Sequence, residues 1–371
     1  MKKILASFLA LGAVLAAQAQ FTPGDLVVLQ VGDGSAALTS AGTAIFLDEY
    51  LTSGFQSAPT YNVTISASGA NSLVNSGTAT SEGALNLSAN GQYLVFAGYN
   101  VNAGTAGVGG ASASSAPRGV GIVNAAGTYT LAATTTTALG GNNVRSGASD
   151  GNGNYWAVGG ATGLNYLGTT SPANPVTGTV LNSRVVQDIG GNLFYSTGSG
   201  LSPGGRGIYE ISGTPTSGAV ATNILLTTGT QFGAASSPYD FAFNSSMTLA
   251  YVADSTAFTT SSGMGGVERW HYNGSSWVFD YSLSLGTNGA VGLAVDFSAE
   301  NPTIYATSAM GTNLFGIVDT GAGSTATLLA SAAANTVFRG LDFAPTPEPA
   351  TLALGGLGFA ALLVLQRKRK A

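Results

Sequence analysis

The sequence predicts an all-β protein, and three observations support this prediction. Short runs rich in Val, Ile, Tyr, Phe and Thr alternate with turns of Gly, Asn, Ser and Asp between residues 21 and 345. The same region contains no convincing amphipathic helix. Apolar residues make up 44% of the chain and charged residues only 8%, so the body should fold with a polar surface of Ser, Thr, Asn and Gly.

The first element, residues 1–19, has the features of a secretory signal peptide. Lys2 and Lys3 form a positive start, and the apolar run over residues 4–17 is too short to span a bilayer. Residues 17–19 read Ala-Gln-Ala, the small-residue pattern that signal peptidase accepts. We expect cleavage after Ala19 and a folded body over residues 20–345.

Within that body, one kind of strand recurs about every 40 to 60 residues, the spacing of four-stranded propeller blades. Each copy follows a polar turn and combines aromatic with small residues. The copies lie at residues 93–97, 154–158, 192–196, 248–253 and 303–307. A pair of β-sandwiches or a β-solenoid is the alternative, but the irregular spacing and the aromatic pattern favour a propeller.

The two ends of the body predict how the propeller closes. Residues 338–343 look like a first blade strand with no partner after it, and residues 25–31 look like a second strand with no first strand before it. Pairing them would complete a blade and remove two sheet edges. We therefore predict six four-stranded blades closed by the N- and C-terminal strands. A seven-bladed propeller is the alternative count. The body resembles propellers of secreted bacterial proteins in architecture only.

The last element, residues 346–371, is a tail with three parts. Pro347, Glu348 and Pro349 come first, and an uncharged stretch over residues 350–366 follows. Its 17 residues are the short limit for a transmembrane helix. A basic cluster closes the chain and should stay cytoplasmic. The cluster consists of Arg367, Lys368, Arg369 and Lys370.

This order of Pro-Glu-Pro triplet, glycine-containing apolar stretch and basic end resembles the PEP-CTERM sorting signal. The resemblance covers about the last 25 residues. It implies recognition and cleavage near the triplet by an exosortase, in a Gram-negative-type bacterium with an extracellular polysaccharide or biofilm matrix. A permanent single-pass anchor is the alternative, and both place the body outside the cytoplasm.

Charge and cysteine content exclude several functions. Between residues 21 and 345 there are sixteen acidic residues, six arginines and no lysine. Such an acidic body is a poor nucleic-acid binder. The chain has no cysteine, which excludes disulfides, thiolate catalysis and Cys-ligated metals.

Two motifs that suggest catalysis do not pass a structural test. The sole histidine, His271, lies on a predicted outer blade strand, and one His without Cys cannot supply the common zinc sets. We expect it to be a half-exposed packing residue. Residues 147–151 match G-x-S-x-G, but a nucleophile elbow needs a following helix, whereas the sequence continues into a strand.

Oxygen-bearing side chains provide the remaining candidates. Asp150, Asn152 and Asn154 alternate as in calcium loops, although a Gly/Asn hairpin turn explains them as well. Calcium is the one cofactor that the sequence suggests. Asp48 and Glu49 should point to opposite faces of a strand. Several aspartates lie in or near strands and could line a channel: Asp25, Asp188, Asp240, Asp254, Asp296 and Asp342.

Two hypotheses for function follow. The first is a non-catalytic propeller, with no catalytic residue, that binds polysaccharide, protein or mineral ions at the cell surface or in the matrix. The second is an extracellular hydrolase or lyase that uses channel carboxylates on a polysaccharide. Three or more Asp, Glu, Asn or Arg side chains at the channel mouth would favour the enzyme, and an apolar channel would favour binding. The three tryptophans could stack on sugars, but we expect them to pack between blades.

Overall fold

The protein is a six-bladed β-propeller, as a computed structural model shows. The structure describes residues 20–168, 173–202, 204–227, 236–259, 264–286 and 288–347. Six four-stranded antiparallel sheets surround a central axis, and one two-stranded sheet lies outside them. The prediction of six four-stranded blades is confirmed, and the seventh blade that the sequence left open is not present among these residues.

Each blade runs from an inner strand beside the axis to an outer strand at the rim. Blade 1 contains β26 (Val337–Phe343), β1 (Leu26–Val31), β3 (Ile45–Tyr50) and β4 (Tyr61–Thr64). Blade 2 contains β6 (Leu85–Leu87), β7 (Tyr93–Tyr99), β8 (Arg118–Asn124) and β9 (Tyr129–Thr135). Blade 3 contains β10 (Val144–Ser149), β11 (Tyr155–Gly159), β12 (Asn165–Tyr166) and β13 (Asn174–Pro175).

The second half of the propeller repeats this order. Blade 4 contains β14 (Ser183–Ile189), β15 (Asn192–Thr197), β16 (Gly207–Ile211) and β17 (Thr222–Leu226). Blade 5 contains β18 (Pro238–Phe243), β19 (Leu249–Thr259), β20 (Met264–Tyr272) and β21 (Trp277–Leu283). Blade 6 contains β22 (Ala290–Asp296), β23 (Thr303–Ser308), β24 (Asn313–Val318) and β25 (Thr327–Ser331). The two-stranded sheet pairs β2 (Gly42–Thr43) with β5 (Asn75–Ser76), and one 3-10 turn covers Val108–Gly110.

The closing strand pair forms as predicted. The C-terminal strand β26 pairs antiparallel with β1, from Leu26 opposite Phe343 to Val31 opposite Val337. Because β1 also pairs with β3, the two ends of the chain complete one blade and hydrogen-bond edges that would otherwise be open. Closure therefore depends on a pairing between residues about three hundred positions apart, which makes the whole ring one cooperative unit.

Apolar side chains fill the spaces between blades. Phe194 of blade 4 lies against Phe243 of blade 5, with ring centroids 5.6 Å apart. Tyr305 of blade 6 meets Phe343 of blade 1 edge-on at 5.9 Å. Aromatic pairs of this kind contribute about 0.5–1.5 kcal/mol each beyond their burial. Trp156 and Trp270 are buried, as expected, whereas Trp277 is half-buried and its ring lies 5.3 Å from that of Phe243 in its own blade.

Polar side chains link every pair of neighbouring blades near the axis. Each junction has at least one hydrogen bond that involves a side chain, and six of these bonds, one from each junction, form a closed ring. In blade order the donors and acceptors are Leu87 N to Asp342 Oδ2 (2.6 Å), Asn86 Nδ2 to Ser146 Oγ (3.0 Å), Val186 N to Ser146 Oγ (3.1 Å), Gln187 Nε2 to Asp240 Oδ1 (3.0 Å), Leu293 N to Asp240 Oδ2 (3.0 Å) and Thr307 Oγ1 to Arg339 O (2.5 Å).

Five of the six inner strands carry a β-bulge near their first residue. The extra residue falls between the paired positions, so that its side chain can turn toward the axis. The bulges include Arg145 in β10, Arg184 in β14, Tyr239 in β18, Val291 in β22 and Arg339 in β26. The same structural position of five blades therefore holds three arginines, one tyrosine and one valine.

The two faces of the propeller differ in what they hold. We call the face at which the inner strands begin the upper face and the face at which they end the lower face. Both described termini lie on the lower face. Phe21 N donates to Ala125 O in the β8–β9 hairpin (3.1 Å), and Thr346 N donates to Gly91 O in the β6–β7 hairpin (2.9 Å).

Candidate functional site

The bulged residues Arg145, Arg184, Tyr239 and Arg339 form a group at the upper end of the axis, which we call the axial cluster. Arg145 Nη1 donates to Asn182 Oδ1 at 2.6 Å and to the Ser183 carbonyl at 3.2 Å. The Arg184 guanidinium lies over the Tyr239 ring, with its Cζ 4.6 Å from the ring centroid. The cluster therefore joins blades 3, 4, 5 and 1 around the axis.

The chain segment over residues 77–83 passes beside this cluster. Arg339 Nη2 donates to the Gly77 carbonyl at 3.4 Å, and the Tyr239 hydroxyl donates to the Thr80 carbonyl at 3.4 Å. Arg145 and Arg339 are 9% and 2% exposed, whereas Arg184 is only partly buried. Solvent therefore reaches the cluster mainly on the side of Arg184.

The positive charges of the cluster are not matched by ion pairs. Within the described part of the chain, no carboxylate lies within 4.0 Å of the guanidinium nitrogens of Arg145, Arg184 or Arg339. Their Nε atoms are buried without a hydrogen-bond partner there. Burial lowers the pKa of all three arginines, and the charge of Arg184 lowers that of Arg145 further. The site holds like charges in a poorly solvated place.

Glu82 is the acidic group that faces Arg145 and Arg339. Its carboxylate accepts hydrogen bonds from the Tyr99 hydroxyl at 2.5 Å, the Ser76 backbone N–H at 2.7 Å and Asn143 Nδ2 at 2.5 Å. Burial raises the pKa of Glu82. Because both oxygens already have donors, Glu82 ties the 77–83 segment to blade 2 and is not oriented as an acid or base toward solvent.

Four of the six aspartates that the sequence singles out lie on inner strands: Asp188, Asp240, Asp296 and Asp342. Asp240 and Asp342 bridge blades in the axial ring, and Asp188 Oδ1 accepts from the Gly191 N–H at 3.1 Å. Burial raises the pKa of Asp342 to about 7. Asp254 lies midway along β19, opposite Pro238 at the start of β18, and Asp25 precedes β1. Burial raises the pKa of Asp240 and the Asp342 charge raises it further, but each of these two carboxyl groups accepts a backbone N–H of a neighbouring blade.

A carboxyl pair that the sequence analysis missed lies in blade 5. Glu268 is fully buried beside Asp254, and burial followed by the Asp254 charge raises the pKa of Glu268 well above its usual range. Trp270 Nε1 donates to Glu268 Oε2 at 3.1 Å. Asp254 accepts from Ser237 N at 3.0 Å and Thr256 N at 2.7 Å. Asp254 lies opposite Gly266 and Glu268 lies opposite Val252, so the two carboxyl groups are diagonal neighbours on adjacent strands.

Asp48 and Glu49 are both buried in β3 and have separate partners. Asn62 Nδ2 donates to Asp48, and the Thr22 N–H donates to Glu49 Oε1 at 2.5 Å. Burial raises the pKa of Asp48 to about 6. The two side chains do not cooperate, in agreement with the alternation expected along a strand.

His271 lies on β20, one strand in from the rim. Its side chain is 44% exposed, and its Nδ1 lies 2.6 Å from Asp280 Oδ1. Arg269 pairs with Asp280 and, at 3.3 Å, with Asp319. The expectation of a half-exposed histidine on an outer part of the blade agrees with this position, and the sequence did not indicate the ionic group around it.

The candidate calcium residues occupy the β10–β11 hairpin on the lower face. Asp150 Oδ1 accepts from the backbone N–H groups of Asn152 (2.8 Å) and Asn154 (3.1 Å), and Asp150 Oδ2 accepts from Asn154 Nδ2 (2.6 Å). No group of three or more His, Cys, Asp or Glu suited to a metal occurs in the described ranges. The G-x-S-x-G match spans the end of β10 and this turn, and strand β11 follows it.

The upper face also has an open cleft of 830 Å³ between blades 2 and 3. Small and hydroxyl-bearing residues line it, including Ser112, Thr137, Thr162 and Asn165. None of its lining residues is charged. The residues that line the cleft can form hydrogen bonds with a ligand. They include no general acid or base, and therefore no base that could activate a nucleophile.

The predicted signal peptide and most of the tail lie outside the described residues. Of the tail, the structure describes only Thr346 and Pro347, so Glu348, Pro349 and the basic end are not located. Within the part of the chain that is described, no helix has the length and apolar character needed to cross a membrane. The predicted transmembrane helix over residues 350–366 belongs to the part not described.

Comparison with solved structures finds distant propeller-like chains. A protein from Lactobacillus plantarum shares 12% identity, with 83% of this chain and 82% of that chain covered and a TM-score of 0.45. The periplasmic gluconolactonase of Pseudomonas aeruginosa shares 12%, with 83% of both chains covered and a TM-score of 0.42. A GH74 enzyme of Niastella koreensis shares 15%, with 81% of this chain but 47% of that chain covered and a TM-score of 0.44. Likeness at this level carries no argument about function.

Comparison with curated proteins gives no match. One family model does match: the PEP-CTERM protein-sorting motif aligns with residues 345–370. That match begins where β26 has ended and covers the triplet, the apolar stretch and the basic cluster. The chain therefore carries a PEP-CTERM sorting motif, which implies export and recognition by an exosortase, at the end of a six-bladed β-propeller.

Proposed function

We propose that this protein is a non-catalytic binding propeller that exosortase sorting delivers to the cell surface or the extracellular matrix. In this proposal signal peptidase removes residues 1–19. The apolar stretch 350–366 then holds the chain in the membrane as a helix until cleavage near Pro347–Pro349. The observation that supports it most is that the motif begins at the lower face, where Thr346 N donates to Gly91 O.

This attachment directs the upper face away from the membrane. Both the 830 Å³ cleft and the axial cluster belong to the upper face. A tethered propeller would thus present its two ligand-accessible features to the extracellular polymer. The acidic residues at the lower ends of the inner strands, Asp188, Asp296 and Asp342, would face the cell.

The use of the carboxylates supports binding over catalysis. A glycosidase needs two carboxylates about 5 to 10 Å apart across a substrate cleft. Here Asp240 and Asp342 accept backbone N–H groups of neighbouring blades, and Glu82 is saturated by three donors. These carboxylates stabilise the ring of blades. Their removal should therefore destabilise the fold, and none of them is free to act as an acid, base or nucleophile.

A hydrolase or lyase acting on extracellular polysaccharide is the second candidate. The observation that favours it is the convergence of Arg145, Arg184 and Arg339 at the mouth of the axis. Arginine does not give up its proton in proteins, so this convergence by itself supplies binding and not acid–base chemistry. Tyr239 is the group beside the arginines that could transfer a proton.

The test is to incubate the processed protein, purified from its host, with the acidic polysaccharide of the same host. The proposal predicts that the protein sediments with the polymer and releases neither new reducing ends nor unsaturated sugars. Release of such products, abolished by Tyr239→Phe, would replace the binding role with the enzyme. A heat-denatured sample controls for spontaneous cleavage.

A further inference from the structure

We propose that the axial cluster binds the carboxylate of a uronic-acid sugar, so that the ligand of the propeller is a sparsely charged acidic glycan. This inference rests on the proposed binding function and names the ligand class of its upper face.

The unpaired charge is the first step. Three arginines gather here, Arg145, Arg184 and Arg339. Two carboxylates face them, Glu82 toward Arg145 and Arg339, and Asp254 toward Arg184. A positive excess therefore remains in a site where burial already disfavours charge. Buried charges are normally paired because desolvation costs several kcal/mol per ion.

Arg118 shows how this chain satisfies a buried arginine that has a structural role. Its side chain is fully buried, and it donates to five backbone carbonyls. The carbonyls belong to Gly109, Ala111, Ser112, Ala116 and Asn142. Among the described residues Arg184 donates only to Ser255 Oγ, at 3.3 Å, and Arg339 only to Gly77 O, at 3.4 Å. The axial arginines thus have N–H groups without an acceptor among the described residues, whereas the corresponding terminal N–H groups of Arg118 are bonded to carbonyls.

Those remaining donors suit a carboxylate. A guanidinium presents parallel N–H groups that match the two oxygens of a carboxylate, and such charge-assisted pairs are about twice as strong as neutral hydrogen bonds. Arg184 is partly exposed, and its guanidinium lies over the Tyr239 ring. An incoming carboxylate would meet Arg184 first and bring its charge toward the more deeply buried Arg145.

The acidic body decides between kinds of anion. Outside the cluster the body has three further arginines, Arg118, Arg206 and Arg269, and most of its sixteen acidic residues. A densely charged polymer such as nucleic acid, laid across this surface, would be repelled everywhere except at the axis. A glycan with isolated carboxylates places one charge in the cluster and neutral sugar hydroxyls against the uncharged upper face, including the 830 Å³ cleft.

The experiment is calorimetric titration of the processed protein with a trisaccharide that carries one glucuronic acid and two neutral sugars. Its neutral methyl ester, inorganic phosphate and sulfate serve as comparison ligands. We expect the acid to bind and the ester to bind at least about tenfold more weakly, since a hydrogen bond to a charged group contributes about 1.5–3 kcal/mol. Equal binding of acid and ester, or no binding of the acid, would overturn the inference.

Two variants assign the binding to the cluster. Arg184→Gln should weaken binding of the acid at least about tenfold. Arg269→Gln removes the same charge from a guanidinium already paired with Asp280 and Asp319, and should change binding less than about twofold. Thermal unfolding of each variant verifies the fold. If Arg184→Gln does not fold, Arg184→Lys is the alternative. It keeps the positive charge but loses the two parallel N–H groups of the guanidinium, so it should still weaken binding.

The outcomes separate this inference from the proposed function. Affinity for inorganic phosphate equal to that for the trisaccharide would overturn the glycan assignment. Unchanged binding by folded Arg184→Gln would place the site elsewhere and leave the binding function standing. Shortening of the trisaccharide during the titration would overturn the non-catalytic role while leaving the carboxylate site in place.

Discussion

Removal of the Asp240 carboxyl should weaken the whole ring, because this one group connects three blades. Its Oδ1 accepts from Gln187 of blade 4 and its Oδ2 accepts from the Leu293 N–H of blade 6, both at 3.0 Å. In Asp240→Ala, Gln187 keeps its bond to the Phe241 carbonyl at 3.0 Å. The Leu293 N–H loses its only hydrogen bond to a side chain at that junction.

The expected cost is about 3 kcal/mol of the free energy of unfolding. Two lost inter-blade hydrogen bonds contribute about 1 kcal/mol each, and the buried unpaired N–H adds about 1 kcal/mol or more. Urea unfolding followed by tryptophan fluorescence measures this difference. Asp296→Ala is the matched control, since Asp296 also lies on an inner strand but is partly exposed and, among the described residues, accepts only from Ser298 N at 2.8 Å. Equal urea midpoints for the two variants would refute the ring as a source of stability.

Two further predictions concern buried charged groups. The pKa of Asp48 is raised from 3.8 to about 6, so its contribution to stability is full below pH 3.8 and is lost as the pH rises through 6. In the wild type, the Asp48 carboxyl should lower the free energy of unfolding by about 3 kcal/mol between pH 4 and pH 7.5, and Asp48→Asn should abolish this change. Urea midpoints measured across this pH range test it. The same pH dependence in wild type and Asp48→Asn would contradict the prediction. Arg118→Met should release the 108–117 loop, because the five carbonyl contacts disappear. Limited proteolysis should then cut within this loop, and resistance equal to wild type would count against the assignment.

The fold was predictable where local pattern and closure agree. Five runs with the same pattern proved to be the second strands of blades. Each combines aromatic with small residues and follows a polar turn. They are residues 93–97, 154–158, 192–196, 248–253 and 303–307. The unpaired strand at each end of the body predicted the β26–β1 pair. These features depend on residues near one another in sequence or on edges that must be covered.

The axial cluster was not predictable in the same way. Arg145, Arg184 and Arg339 are separated by up to 194 positions, and a bulge, not a motif, turns each one toward the axis. The only available signal was that each arginine comes second, or soon after, in a first blade strand, which an alignment of the blades could have detected. The Asp254–Glu268 pair required the register of β19 and β20, which single-sequence patterns do not specify.

The most direct test of the account is the intact mass and location of the protein in its native host. It should be measured for the wild type and for a variant in which Pro347, Glu348 and Pro349 are all replaced by alanine. The account predicts that the wild-type protein has lost residues 1–19 and the tail beyond the triplet and is found at the cell surface or in the matrix. The variant should remain uncut in the membrane. A wild-type protein that retains its full tail would contradict exosortase processing and leave a permanently tethered propeller.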